Sequence, residues 1–179
     1  MWDTWTGPTP RGGFDAVLGN PPYVRQEHLA PIKRALKARY TAYDGVADLY
    51  VYFFEQALRL LRPGGRFAFT ATNKWLKAGY AEELRALLAA RAWLVSVTDF
   101  GHVRRFFPGT DVFPSVVCAR WPRLDQDAPE QARVTVVPRD LVRMDALVAQ
   151  VAEAAFSLPR VALGRESWVL EPPDVRTLL

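Results

Sequence analysis

Apolar positions recur along this chain with two periods, and their alternation sets out a series of strands and helices. Ala16-Val17-Leu18 is a short unbroken apolar run that ends at Gly19, which reads as a strand. Leu29, Ile32, Leu36 and Tyr40 share one face of a helix opened by Pro31. Tyr50, Phe53, Phe54, Ala57, Leu58 and Leu61 form a second helical stripe, with Asp48 placed to cap its start and Pro63-Gly64-Gly65 to stop it. Such an aromatic stripe predicts core packing rather than a cofactor box. Residues 66–71 then read as a buried strand, and residues 80–91 as a helix with Glu82 and Glu83 in its first turn and Leu84, Leu87 and Leu88 on its apolar face. Residues 94–100 and the β-branched stretch 115–121, bounded by Pro114 and Pro122, predict two further strands.

Helix, Pro-Gly-Gly, then strand is an α-to-β unit, so the pattern predicts an α/β fold with an open sheet. Residues 1–13 carry no period and read as a loop entering the first strand. Past Trp121 the pattern changes. Residues 122–132 are polar, with Asp125, Asp127 and Pro129, and read as a linker; residues 133–138 predict a short strand and residues 141–156 a helix through Leu147, Val148, Val151 and Ala155. The expected division is therefore 1–121 and 122–179.

Composition narrows the function classes. Half the residues are hydrophobic and 23% are charged, as in a globular domain. No stretch is long and apolar enough to cross a bilayer and the N-terminus lacks a signal pattern, so a cytoplasmic protein without a membrane partner is the simplest expectation. Cys118 is the only cysteine and lies in an apolar run, predicting a buried small hydrophobe; His28 and His102 are isolated, and no metal is expected. The net charge of +4 permits a polyanionic partner without demanding one.

The candidate chemistry lies at the end of the first strand, in Asn20-Pro21-Pro22-Tyr23. Two prolines fix their own φ and push the preceding residue into extended backbone, so the segment is stiff. The Asn20 side-chain oxygen and a neighbouring main-chain carbonyl are two acceptors suited to the two hydrogens of one –NH2 group. Tyr23 offers a flat face for a planar ring, a contact contributing roughly 1–3 kcal/mol per nucleobase. Arg25, Lys33, Arg34, Lys37 and Arg39 follow, and read equally well as contacts to nucleic-acid phosphates or as a solvated helix face. Thr72-Asn73-Lys74-Trp75-Leu76 falls at a strand's carboxyl end, where ligands gather in open α/β sheets, so Asn73 and Lys74 are further candidates.

These residues resemble the catalytic motif of S-adenosylmethionine-dependent amino-methyltransferases, chiefly the N6-adenine DNA methyltransferases of the type IIG restriction-modification family. The 72–76 segment is similar to that family's Pro-Asn-Lys/Ser-aromatic-Leu segment, with Thr72 in place of proline. The resemblance implies a Rossmann-like fold, S-adenosylmethionine as cofactor, and double-stranded DNA as partner. It implies that Asn20, Pro21, Pro22 and Tyr23 are catalytic, with Asn20 also touching the cofactor. It further implies that a second aromatic, Phe107 first or Phe113 second, sandwiches the flipped base against Tyr23. Residues 122–179 then resemble a connector toward a target-recognition domain.

The family's Gly-rich cofactor motif lies on an earlier strand, and only thirteen residues precede Phe14. The expectation is thus the later strands of the sheet only, a motif strand with an unpaired edge, and weak cofactor binding unless an N-terminal half or specificity subunit is supplied in trans. Two alternatives stay open: the same tetrapeptide serves enzymes acting on RNA adenine or protein glutamine, and the chain could be a non-catalytic module that binds DNA or a subunit through its basic helix.

Overall fold

The computed structural model describes residues 12–101, 103, 112–138 and 144–172. The chain runs β1 (Phe14–Gly19), α1 (Lys33–Arg39), α2 (Tyr50–Leu60), β2 (Leu61–Thr72), α3 (Glu82–Arg91), β3 (Trp93–Asp99), β4 (Pro114–Arg120), β5 (Gln131–Val136), α4 (Leu147–Glu153) and β6 (Ala155–Pro159). The strands form one six-stranded sheet in the order β1-β2-β4-β3-β5-β6. β1 and β2 are parallel, β4 runs against β2 and β3, β3 and β5 are parallel, and β6 runs against β5. β1, β2, β3 and β5 therefore end along one edge of the sheet, and β4 starts there. The α/β expectation holds.

The core lies between the sheet and α2 and α3, which touch each other. Phe54 packs edge-on against Phe67 and Phe69 with ring centroids 5.9 and 5.4 Å apart. Val97, Val117 and Ala119 continue that face and are buried. Burying a side chain of this size stabilises the fold by about 1.5–3 kcal/mol. β1 pairs with β2 on one side only among the described residues, and its Phe14 and Leu18 are 60% and 75% exposed. Among the described residues the motif strand is the outer strand of the sheet.

Several local readings need correction. Asp48 does not cap α2: the helix opens after Leu49 without a side-chain cap, and Asp48 Oδ1 instead accepts the Gln26 N–H at 3.0 Å. The donor was outside the helix, where sequence spacing could not show it. Pro31 lies inside a 3-10 turn, Gln26–Ile32, and α1 begins only at Lys33; the residue before a proline resists α geometry. Ile32 and Phe53 are 44% and 40% exposed, so neither belongs to the core its stripe suggested. Cys118 is only half-buried.

Pro63-Gly64-Gly65 does not separate helix from strand but lies inside β2. Phe14 pairs with Leu61 while Ala16 pairs with Arg66, so the Pro-Gly-Gly segment is looped out as a bulge. Gly64 has φ +78, and a Cβ on Gly65 would sit 2.7 Å from the Phe14 carbonyl oxygen. Only glycine lets the backbones close to that distance.

Downstream of residue 121 the chain continues in the same sheet. β5 and β6 extend the same sheet, and Leu158, Leu163 and Trp168 are fully buried. The 141–156 repeat yields a short α4 with no buried residue and Val148 84% exposed, while Ala155–Pro159 is strand β6. Phe156-Ser157-Leu158 alternates apolar and polar with period two, the strand signal that the helical reading overrode.

Candidate active site

Gly19 pairs with Phe69 at the end of β1, so Asn20 leaves the sheet edge beside the carboxyl end of β2. Asn20 is exposed, Pro21 is buried and Tyr23 half-buried. The Tyr23 hydroxyl donates to Asn20 Oδ1 at 3.0 Å. An amide oxygen has two lone pairs, so this bond orients the Asn20 amide and leaves a second acceptor position on Oδ1.

Behind the motif stand two further tyrosines. The Tyr23 ring meets the fully buried Tyr50 ring edge-on at 5.9 Å and 69°. The Tyr50 and Tyr80 hydroxyls are 2.7 Å apart. Burial pushes the Tyr50, Tyr23 and Tyr80 phenols above the usual tyrosine range, with the neighbouring Tyr80 adding to the effect at Tyr50. All three stay neutral at ordinary pH. Tyr50 was legible only as one member of a core stripe; its ring contact with Tyr23 and its hydroxyl bond to Tyr80 had no sequence signal.

Next along the edge, the Asn73–Leu76 turn follows β2, with the Thr72 hydroxyl beside the Lys74 N–H at 3.4 Å. Asn73 is half-buried and Lys74 exposed. Asn73 Nδ2 donates to Asp99 Oδ1 at 3.0 Å, and its N–H to the Phe113 carbonyl at 2.6 Å. A cleft of about 480 Å³ opens here between Asn73, Lys74, Lys77, Asp99, Gly101 and Val137. Phe113 is half-buried at the entry to β4. Phe107 lies outside the described residues.

The turn is braced from below. Trp75 packs edge-on against Trp168 at 5.0 Å and donates through Nε1 to Ser115 Oγ at 3.2 Å. The Trp168 N–H donates to the Leu76 carbonyl at 2.8 Å. Arg85, 2% exposed, donates to the carbonyls of Trp75, Ala78 and Arg165 at 2.7, 2.9 and 3.0 Å, and burial lowers its pKa below the usual arginine range. Arg85 sits at a core position of the repeat Ala81-Leu84-Arg85-Leu88. A charged residue on an apolar stripe was the signal that could have found it.

The basic segment divides. Arg25, Arg34 and Lys37 are exposed. Lys33 is half-buried and gives its ammonium to Gln26 Oε1 and the Gly45 carbonyl at 2.6 and 2.7 Å. Glu55, fully buried, accepts the Thr41 and Ala42 N–H groups at 3.1 and 2.8 Å and pairs with Arg59, which fastens the loop after α1 to α2. Among the described residues no group of three or more His, Cys, Asp or Glu side chains could hold a metal ion, and no helix is long and apolar enough to cross a membrane.

Residues 2–107 match a family model described as Eco57I restriction-modification methylase. The type II methyltransferase M.XhoI of Xanthomonas vasicola is 32% identical over 171 residues, which are 90% of this chain and 31% of that protein. The type II methyltransferase M.PaeR7I of Pseudomonas aeruginosa is 31% identical over 94% of this chain and 30% of its own length. The chain thus spans about a third of the length of these curated relatives. Among solved structures, a putative class I S-adenosylmethionine-dependent methyltransferase of Listeria monocytogenes aligns with a TM-score of 0.62 at 14% identity, covering 80% of this chain and 42% of that one. At that identity the likeness is one of fold.

Proposed function

Because the chain belongs to the Eco57I restriction-modification methylase family, we propose that it supplies the substrate half of a DNA adenine-N6 methyltransferase active site that uses S-adenosylmethionine. The observation that carries this reading is the Asn20 amide, held by the Tyr23 hydroxyl at the end of an edge strand with an acceptor left over. The same geometry would accept the amide of a protein glutamine or an RNA adenine; the restriction-modification family favours DNA.

S-adenosylmethionine, when bound, supplies an electrophilic methyl group on sulfur. The residues present fit it in part. Asn20 is exposed at the end of β1, but no Gly-rich strand-turn-helix loop is found among the described residues. In this proposal the isolated chain binds the cofactor weakly and gains activity with an N-terminal half or specificity subunit in trans. Residues 1–121 carry the chemistry, and 122–179 lead toward a target-recognition part.

Adenine must leave the duplex, because its N6 cannot be approached inside the stack. Asn20 Oδ1 and the Pro21 carbonyl then accept the two N6 hydrogens. That draws the nitrogen lone pair out of conjugation with the ring and aims it at the methyl carbon. Pro22 keeps the segment rigid while Tyr23 stacks on one face of the base. Phe113, at the entry to β4 with β2 between it and the motif strand, and Phe107 are the candidates for the second face. Arg25, Arg34, Lys37 and Lys74 are the proposed phosphate contacts. Catalysis is positioning and electrostatics, with no covalent enzyme intermediate.

The reading is tested by labelled-methyl transfer to duplex DNA, with the upstream part of a relative's methyltransferase added to the chain. Label on adenine N6 supports it; label absent, or carried by a different base, overturns it.

A further inference from the structure

Asn73 stands where three backbone segments meet. Its N–H donates to the Phe113 carbonyl at 2.6 Å, and its Nδ2 to Asp99 Oδ1 at 3.0 Å. That same carboxylate oxygen accepts the Gly101 N–H at 2.8 Å. The Phe100 N–H donates to the Pro114 carbonyl at 3.0 Å, one rung further on. Gly101 has φ +48, so the chain leaves β3 through a left-handed residue. Both ends of the connection between β3 and β4, residues 99–101 and 113–114, are therefore fastened at one residue of the β2 turn.

The chemistry of the pair fixes its orientation. A carboxylate only accepts, so the Asn73 amide must turn Nδ2 toward Asp99. Hydrogen bonds to a charged acceptor are about twice as strong as neutral ones, so the arrangement holds against competing water. Asn73 thus commits its N–H and one Nδ2 hydrogen to β4 and β3 from a half-buried position, which ties it to the ends of those two strands.

We propose that Asn73 is a positioning residue for the amine site rather than a DNA contact. It sets where the β3–β4 connection leaves and re-enters the sheet edge, and so where Phe113 stands relative to Tyr23. The inference rests on the methyltransferase reading for its purpose, but the clamp itself does not.

A double-mutant cycle separates the roles. Removing Asp99 breaks the clamp without touching position 73, so Asn73→Ala, Asp99→Ala and the double variant lose the same interaction if the pair acts as a unit, whereas a DNA contact at position 73 is lost only with Asn73. The experiment measures amide hydrogen exchange at Gly101 in the 179-residue chain, with the β4 amide of Val117 as the reference for global folding. The same proteins are titrated with a duplex carrying 2-aminopurine opposite an abasic site, read by fluorescence quenching and by affinity. Asn73→Ala is expected to speed Gly101 exchange at least tenfold relative to Val117, and all three variants to weaken quenching to the same extent with affinity within about threefold. Gly101 exchange unchanged in Asn73→Ala, or quenching left intact by Asp99→Ala, overturns the clamp. Should an alanine variant fail to fold, Asn73→Ser and Asp99→Ser are judged by the same outcomes. A wild-type chain that leaves 2-aminopurine unquenched while Gly101 behaves as expected counts against the base-binding reading and leaves the clamp standing.

Discussion

The Tyr23 hydroxyl donates to the Asn20 side-chain oxygen across 3.0 Å, joining the two ends of the motif in one unit. The bond selects the amide orientation that presents Oδ1 as an acceptor and places the Tyr23 ring against Tyr50. Asn20→Ala, in the chain completed by an upstream methyltransferase part, is expected to lower methyl transfer by at least a hundredfold while DNA affinity changes less than threefold. Losing a group that acts mainly in the transition state costs rate rather than binding. A filter-binding titration run beside the methylation assay checks the separation.

Tyr23→Phe and Tyr23→Ala should differ. The phenylalanine keeps the stacking face and loses only the bond to Asn20, so a reduction of roughly tenfold in transfer is expected, near the value of one hydrogen bond. The alanine removes the ring as well, and quenching of an extrahelical 2-aminopurine should fall with it.

Glu55 is buried and satisfied by two backbone N–H groups and Arg59. Glu55→Ala takes the acceptor from both N–H groups and removes the carboxylate that pairs with Arg59, and a loss of about 3–5 kcal/mol is expected. Urea unfolding followed by circular dichroism reads it directly. Trp168→Ala is expected to cost a similar amount, about 3–5 kcal/mol, by removing the ring that packs against Trp75.

Tyrosine titration gives stability a pH dependence. Burial holds Tyr52 up to about 12, and Tyr23, Tyr50 and Tyr80 are raised as well. Their unfolded values lie near 10. A raised folded pKa contributes stability that is complete below the unfolded value and is lost as pH rises through the folded one. The urea midpoint should therefore be insensitive to these groups from pH 7 to 9 and fall above pH 10. Absorbance at the tyrosinate band should show Tyr52 ionising near 12 and Tyr50 only on unfolding.

The parts legible in the sequence were those written in local patterns. The motif strand, α2, α3 and the three central strands followed from apolar periodicity, and the proposal of a four-residue site rests on the stiffness and acceptor chemistry of its own side chains. What escaped was set by contacts distant along the chain. Asp48 looked like a helix cap because its spacing allowed it, yet its carboxylate went to Gln26, 22 residues away. Asn73 stood out because it sits at a strand's carboxyl end, and the bond from its amide to Asp99, 26 residues away, had no local sign. β6 was lost to a competing helical period in a stretch where both fit.

The most direct test of the central claim is methyl transfer by the chain joined with the upstream part of a relative's methyltransferase, with labelled S-adenosylmethionine and duplex DNA. The expected result is label on adenine N6 that depends on both parts and disappears with Asn20→Ala. Label that persists in Asn20→Ala, or no label when both folded parts are present, would contradict the assignment of Asn20-Pro21-Pro22-Tyr23 as the amine-binding site.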